Sequence, residues 1–172
     1  MTHHDQISRE KLAIRRIVVT GGAGFIGCHL TEALAKTCPD SEIVVLDAIT
    51  YAVQPQAINR LNRLSNVKLV RGDVCDTGLA VSLLAGTDLV FHLAAESHVT
   101  RSFCDPHLFD RVNSQGTQSM LEASLVCGVG RFVHFSTDEV YGTCLSPVGE
   151  DQPFAPSSPY ACSKVNAEAH VA

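Results

Sequence analysis

The chain has 172 residues, 45% hydrophobic and 18% charged, which is enough for one compact domain with a real core and too little for two large ones. Its formal charge of −5, with no basic run, excludes the clustered Lys and Arg of a nucleic-acid footprint, so small molecules are the expected partners. No run of eighteen apolar residues is present, and residues 1–12 form a polar tail without the apolar core of a secretory signal, so no membrane is expected and a cytoplasmic location is.

Apolar runs of strand length at residues 16–19, 42–46, 67–70, 89–92 and 131–136 alternate with helical spacing at 25–37, 55–64, 76–84 and 107–127. A further helix is predicted from about Ser158, after a loop rich in turn formers that is long enough to reach over a ligand. Strand–helix alternation predicts right-handed crossovers and an α/β doubly wound parallel sheet of order 3-2-1-4-5, Rossmann-like, over residues 13–172. Ile17-Val18-Val19 and Ile43-Val44-Val45-Leu46 are apolar without alternation, as expected of strands buried on both faces. In the long helix, Leu108, Val112, Met120, Ala123 and Cys127 fall near one stripe and are predicted to be core. The strand at 131–136 is predicted to lie at an open edge, because a sixth strand does not follow it.

Seven cysteines, an odd number without a Cys-x-x-Cys pair, indicate neither a disulfide framework nor a zinc site; they are expected to be reduced thiols, mostly buried. His29, His92, His98, His107, His134 and His170 fall in different predicted elements without ligand spacing, and no metal is expected.

Gly21, Gly24 and Gly27 follow the first predicted strand and open the first predicted helix, with Phe25 and Ile26 in its first turn. Glycines there permit a tight turn and close backbone approach, and the free N–H groups of the helix start suit a dinucleotide pyrophosphate. Asp47 ends the second strand, where a carboxylate can accept from the adenosine ribose hydroxyls and repel a 2′-phosphate; no Arg follows it, which favours NAD over NADP. Asp73, followed by Val74, ends the third strand and can accept from the adenine amino group or serve as a turn carboxylate. Leu93, Ala94 and Ala95 follow the fourth strand and offer the cofactor small apolar surface, and Ser97 can approach a substrate or satisfy local backbone.

The segment Ser136-Thr137-Asp138-Glu139-Val140-Tyr141-Gly142 and the pair Tyr160 and Lys164 group a hydroxyl, two carboxylates, a phenol and an amine. Tyr160 and Lys164 are four apart and share a helix face, so the ammonium can lower the phenol's pKa and let it take a proton from an alcohol.

With these motifs in this order, the chain resembles the extended short-chain dehydrogenase/reductase superfamily from about Arg16 onward. His92-Leu93-Ala94-Ala95-Glu96-Ser97-His98-Val99 and Phe132-Val133-His134-Phe135 leading into Ser136 to Gly142 are similar to the nucleotide-sugar 4,6-dehydratases. Asp138 and Glu139 are the discriminating pair. The resemblance implies a nucleotide-sugar substrate, dTDP-glucose above others, and NAD as cofactor. Tyr160 would deprotonate the sugar 4-hydroxyl, Thr137 hydrogen-bond that oxygen, Glu139 remove the C5 proton and Asp138 protonate the departing 6-hydroxyl. One departure is visible: Thr100 stands where the family pattern has Asp before Arg101-Ser102. Family members are longer, with further strands and a sugar-binding C-terminal domain after the Tyr-x-x-x-Lys helix, whereas this chain ends at Ala172, eight residues past Lys164. An incomplete NAD-binding domain is therefore expected, and three readings stand open. They are the dehydratase, an NAD-binding module without turnover, and a UDP-sugar epimerase or decarboxylase of the same superfamily. In the resembling enzymes the long helix and the Tyr-x-x-x-Lys helix form a dimer, which makes a homodimer an expectation here.

Overall fold

The computed structural model describes residues 14–172, and the tail expected over residues 1–12 lies outside the described residues. Five parallel strands, β1 (Arg16–Thr20), β2 (Glu42–Asp47), β3 (Val67–Arg71), β4 (Leu89–His92) and β5 (Arg131–His134), form one sheet in the order β3-β2-β1-β4-β5. That is the predicted order. β1 is central, with Ile17 beside Ile43 of β2 on one side and Leu89 of β4 on the other.

Side chains alternate across each strand, so the apolar runs divide between two cores. Ile17, Val19, Ile43 and Val45 pack toward α1 (Phe25–Thr37) and α2 (Pro55–Leu61). Val18, Val44, Leu46 and Val90 pack toward α3 (Thr77–Leu84) and the later helices, meeting Ala80, Leu84, Met120 and Ala123. Both faces of β1 and β2 are dry, which is why their sequences show no polar alternation. After β4 come α4 (Val99–Ser102), α5 (Pro106–Phe109), a π-helical stretch (Asp110–Gln115) and α6 (Gly116–Cys127); after β5 come a 3₁₀ turn (Asp138–Tyr141) and α7 (Pro159–Val171).

Several boundaries differ from expectation. The helix predicted over 55–64 ends at Leu61, where Leu64 N–H folds back to the Leu61 carbonyl. β5 stops at His134 rather than 136, although Phe135 N–H still reaches the His92 carbonyl. The helix predicted over 107–127 starts at Pro106 and contains the π stretch. There, side chains reach the backbone carbonyls: Thr117 Oγ1 donates to Asn113 O at 2.6 Å, and Cys75 Sγ to Arg111 O at 3.2 Å. The wider turn changes the buried face. Phe109, Met120 and Ala123 are buried, while Leu108, Val112 and Cys127 are only half-buried, so the predicted stripe is displaced. Among the cysteines, only Cys28 is buried; Cys38, Cys75 and Cys127 are half-buried and Cys104, Cys144 and Cys162 exposed. All seven are free thiols, but the expectation of mostly buried ones does not hold, because Cys38, Cys75, Cys104 and Cys144 sit outside helices and strands and Cys127 and Cys162 toward helix surfaces.

Where a helix start must be fixed, a side chain caps it: Asp76 accepts from Leu79 N–H, Asp105 from Leu108 N–H and Ser158 from Ala161 N–H. Among the described residues no helix is long and apolar enough to cross a membrane.

Leu84 is fully buried between α3 and the sheet, whereas Leu125 on α6 is 82% exposed. Leu84→Ala is expected to lower the unfolding free energy by about 2–5 kcal/mol and Leu125→Ala by less than about 0.5 kcal/mol, read from urea titrations.

Candidate active site

The carboxyl ends of the strands gather the residues singled out in the sequence. β1 runs into a turn in which Gly21 has φ +67°, and Cβ atoms added at Gly21 and Gly27 would stand 2.7 Å from Ala94 N and 2.2 Å from Gly21 O. At Gly24 the added atom would lie 3.2 Å from Gly21 O. Only glycine fits the first two positions without displacing backbone. α1 then begins at Phe25 without a side-chain cap, which leaves the N–H groups of Phe25, Ile26 and Gly27 facing outward. Phe25 and Ile26 are themselves exposed at this end.

Asp47 is buried beside this turn. One carboxylate oxygen accepts from Ala23 N–H at 2.9 Å and the other from Ile49 N–H at 2.8 Å, so it braces the glycine turn against the end of β2 and keeps free lone pairs for a ligand. Asp73 acts as a turn carboxylate, accepting from Cys75 N–H, and its second oxygen pairs with Arg111 at 2.9 Å. Burial pushes its pKa up, but these hydrogen bonds and the guanidinium outweigh that and hold it below the usual value. Val74 is packed in the core beneath Gly116. From β4 the chain continues with Leu93 and Ala94 half-buried, Ala95 exposed, and Ser97 exposed in the loop before α4.

β5, the 3₁₀ turn and α7 assemble the acid–base residues. Thr137 starts the 3₁₀ turn, its hydroxyl accepting from Glu139 N–H at 3.2 Å, which places Asp138 and Glu139 in the first turn after the strand. Tyr160 reaches the same place from the first turn of α7. Burial raises its pKa, the nearby Thr137 hydroxyl works against that, and the Glu139 and Asp138 carboxylates add to it. The structure thus brings Thr137, Asp138, Glu139 and Tyr160 together.

Lys164 departs from the expectation that it lowers the Tyr160 pKa. It is buried, and its ammonium donates to Phe135 O at 2.6 Å and contacts His134 Nε2 at 3.3 Å instead. Burial lowers its own pKa to about 8, partly countered by Glu168. The i, i+4 spacing puts Tyr160 and Lys164 on one face, but the open carbonyl at the end of β5 captures the amine.

Residues to which the sequence reading gave no such role hold this edge together. His92, fully buried, bridges Thr20 Oγ1 (2.7 Å) and Thr117 Oγ1 (3.0 Å). Thr117 spends its one proton on Asn113 O, so His92 Nε2 is the donor; Nδ1 then accepts from Thr20, whose oxygen accepts in turn from Ala94 N–H at 3.1 Å. Burial, then the basic groups His134 and Lys164, hold His92 neutral. Asn113 accepts from Glu96 N–H at 2.8 Å and donates to Glu96 O and Ser163 Oγ, both at 2.9 Å. Nothing in the sequence marked Asn113, which stands among the polar residues Asp110, Arg111, Ser114 and Gln115. Among the described residues no group of three His, Cys, Asp or Glu is placed to hold a metal ion.

The sequence profile of GDP-mannose 4,6 dehydratase matches residues 18–172. A dTDP-glucose 4,6-dehydratase of Streptomyces niveus is 46% identical over 156 residues, covering 87% of this chain and 46% of that protein. The dTDP-glucose 4,6-dehydratase DesIV of Streptomyces venezuelae, solved with NAD bound, superposes with a TM-score of 0.84 at 44% identity, covering 90% of this chain and 50% of that one. A UDP-glucuronic acid 4-epimerase of Bacillus cereus, solved with UDP-glucuronic acid and NAD, reaches the same TM-score at 34% identity, covering 90% and 50%. The chain spans about half the length of the curated relatives it matches.

With a folded pKa of about 8 against an ordinary 10.5, Lys164 is charged in the folded state only at a cost, and that cost disappears as pH rises from 8 to 10.5, where the unfolded chain still holds the proton. The stability of wild type minus that of Lys164→Met is therefore expected to rise by roughly 3 kcal/mol across this window, measured by denaturant titration at successive pH values.

Proposed function

Because the chain belongs to the GDP-mannose 4,6 dehydratase family, we propose that it carries the cofactor-binding and acid–base half of a nucleotide-sugar 4,6-dehydratase that converts dTDP-glucose to the 4-keto-6-deoxy sugar. The observation that carries this reading is the convergence of Thr137, Asp138, Glu139 and Tyr160 beside an uncapped, glycine-opened helix. The residues present fit NAD. The glycine turn leaves a cradle that a Cβ would fill, the first turn of α1 offers free N–H groups, and a buried carboxylate stands at the end of β2.

Gly21, Gly24, Phe25, Ile26 and Gly27 would hold the pyrophosphate, Asp47 the adenosine ribose, Asp73 and Val74 the adenine end, and Leu93, Ala94 and Ala95 the apolar side of the crevice. Bound there, NAD+ supplies the hydride acceptor for C4 and, once reduced, the donor for C6. Tyr160 takes the proton of the sugar 4-hydroxyl while Thr137 hydrogen-bonds the same oxygen, and Ser97 borders the substrate. Lys164 supplies positive charge one helical turn further on. Oxidation at C4 makes the C5 proton acidic, and loss of water then needs one base and one acid. Glu139, half-buried, removes the C5 proton and Asp138, more exposed, gives its proton to the leaving 6-hydroxyl.

A second reading is cofactor binding without turnover, since the cofactor cradle stands among the described residues whereas turnover also needs a sugar held within a fraction of an ångström of its acid and base. An epimerase or decarboxylase shares the fold, but Asp138 has no task in it. A cytoplasmic location agrees with seven free thiols. A homodimer through α6 and α7 is supported by the exposed Leu125 and Val126.

Incubating the full chain with NAD+ and dTDP-glucose should generate a 4-keto sugar, visible as absorbance after alkali. Glu139→Gln should cut the rate by at least about 100-fold while NAD+ binding by calorimetry persists. Undiminished turnover in Glu139→Gln sinks the assigned base; NAD+ binding without any product supports the second reading.

A further inference from the structure

β2 and β4 flank β1 in the sheet, so the loops that leave their carboxyl ends stand on either side of the glycine turn, about 10 Å apart at strand spacing. Side chains bridge that gap. Tyr51, in the loop after β2, donates its hydroxyl to Glu96 Oε2, in the loop after β4, at 2.7 Å. Arg101, on α4, lays its guanidinium carbon 3.7 Å from the centre of the Tyr51 ring.

The two halves of this bridge differ in how firmly they are held. Glu96 is buried, and its backbone N–H and C=O are both bound by Asn113, which also grips Ser163 of α7. Tyr51 and Arg101 are exposed and can swing away without opening the core. The Tyr51 loop is nevertheless set in one shape. Ile49 has φ +55°, the sole positive value for a non-glycine residue among those described, and its N–H is bound by Asp47. A β-branched residue in that region is strained, and such strain persists only where the surroundings impose it.

We propose that Tyr51, Glu96 and Arg101 form a latch that closes over a dinucleotide bound at the glycine turn and slows its release. The inference rests on the cofactor reading given above. A cofactor that is restored within each turnover has no need to leave, so a bar across the mouth of its crevice costs the cycle nothing and prevents loss of the reduced form between the two hydride transfers. The fixed arm reaches through Asn113 and Ser163 to α7, whose Tyr160 carbonyl accepts from Ser163 Oγ at 2.7 Å. Closure over the cofactor and placement of the Tyr160 helix therefore share one set of contacts.

The test is the rate at which excess NAD+ displaces bound NADH from the full chain, followed by NADH fluorescence, in wild type, Tyr51→Phe, Arg101→Gln and Arg101→Lys. Tyr51→Phe removes only the hydroxyl, and Arg101→Gln only the cation over the ring. Release about tenfold faster in each, equivalent to about 1.4 kcal/mol, at an unchanged melting temperature is the expected result. Arg101→Lys should retain most of the slow release, since an ammonium also sits well over an aromatic face. Release at the wild-type rate in both Tyr51→Phe and Arg101→Gln overturns the latch and leaves the cofactor reading intact. Slower release or tighter binding in these variants also overturns it, the bridge then standing in the dinucleotide's space. Failure of the wild type to bind NADH overturns both readings.

Discussion

The buried amide of Asn113 is the contact on which the carboxyl edge of the sheet depends. It uses three of its four hydrogen-bonding positions on side chain and backbone partners, fixing the loop at Glu96 on one side and α7 at Ser163 on the other. The backbone carbonyl of Asn113 accepts from Thr117, whose oxygen receives the His92 proton, and the chain of bonds runs on through Thr20 to Ala94 N–H. Loop, central strand, long helix and Tyr160 helix are thus joined by one buried polar seam. Every member is satisfied, which is the condition under which such a seam orders a structure. The π-helical turn that carries Asn113 is what presents this side chain to both neighbours.

Charge at the site follows from the same burial. His92 and His134 are held neutral, His134 with a pKa of about 4 through burial and then the nearby Lys164. Lys164, buried beside His134, has its own pKa lowered to about 8. A half-buried phenol, a buried amine of depressed pKa and two carboxylates, one half-buried and one exposed, gather at this edge. Proton transfer there is governed by short-range geometry, and a bound ligand that displaces Lys164 from the Phe135 carbonyl would change the balance at Tyr160.

The likeness to both dehydratases and epimerases at a TM-score of 0.84 shows how little the scaffold says about the reaction. Sequence identity is 44% with DesIV and 34% with that epimerase. In the proposed reading the chemical distinction rests on the two carboxylates of the 3₁₀ turn, since an elimination calls for one base and one acid.

Strand order and the glycine turn were legible in the sequence, and candidate acid–base residues could be named there, because each depends on local chemistry. An apolar run marks a doubly buried strand, a glycine stands where Cβ would strike backbone, and two carboxylates follow a strand end. What stayed hidden depends on groups far apart in the chain. The capture of Lys164 by the Phe135 carbonyl, the role of His92 between two threonines, the π turn at Asn113 and the Tyr51–Glu96 bridge join residues separated by 17 to 74 positions or by a change of helical register. The sequence by itself determined the fold and which residues could carry the chemistry, since periodicity and side-chain type are local properties. Only the tertiary structure decided which partner each polar group takes, because a buried donor bonds the acceptor that packing brings within reach.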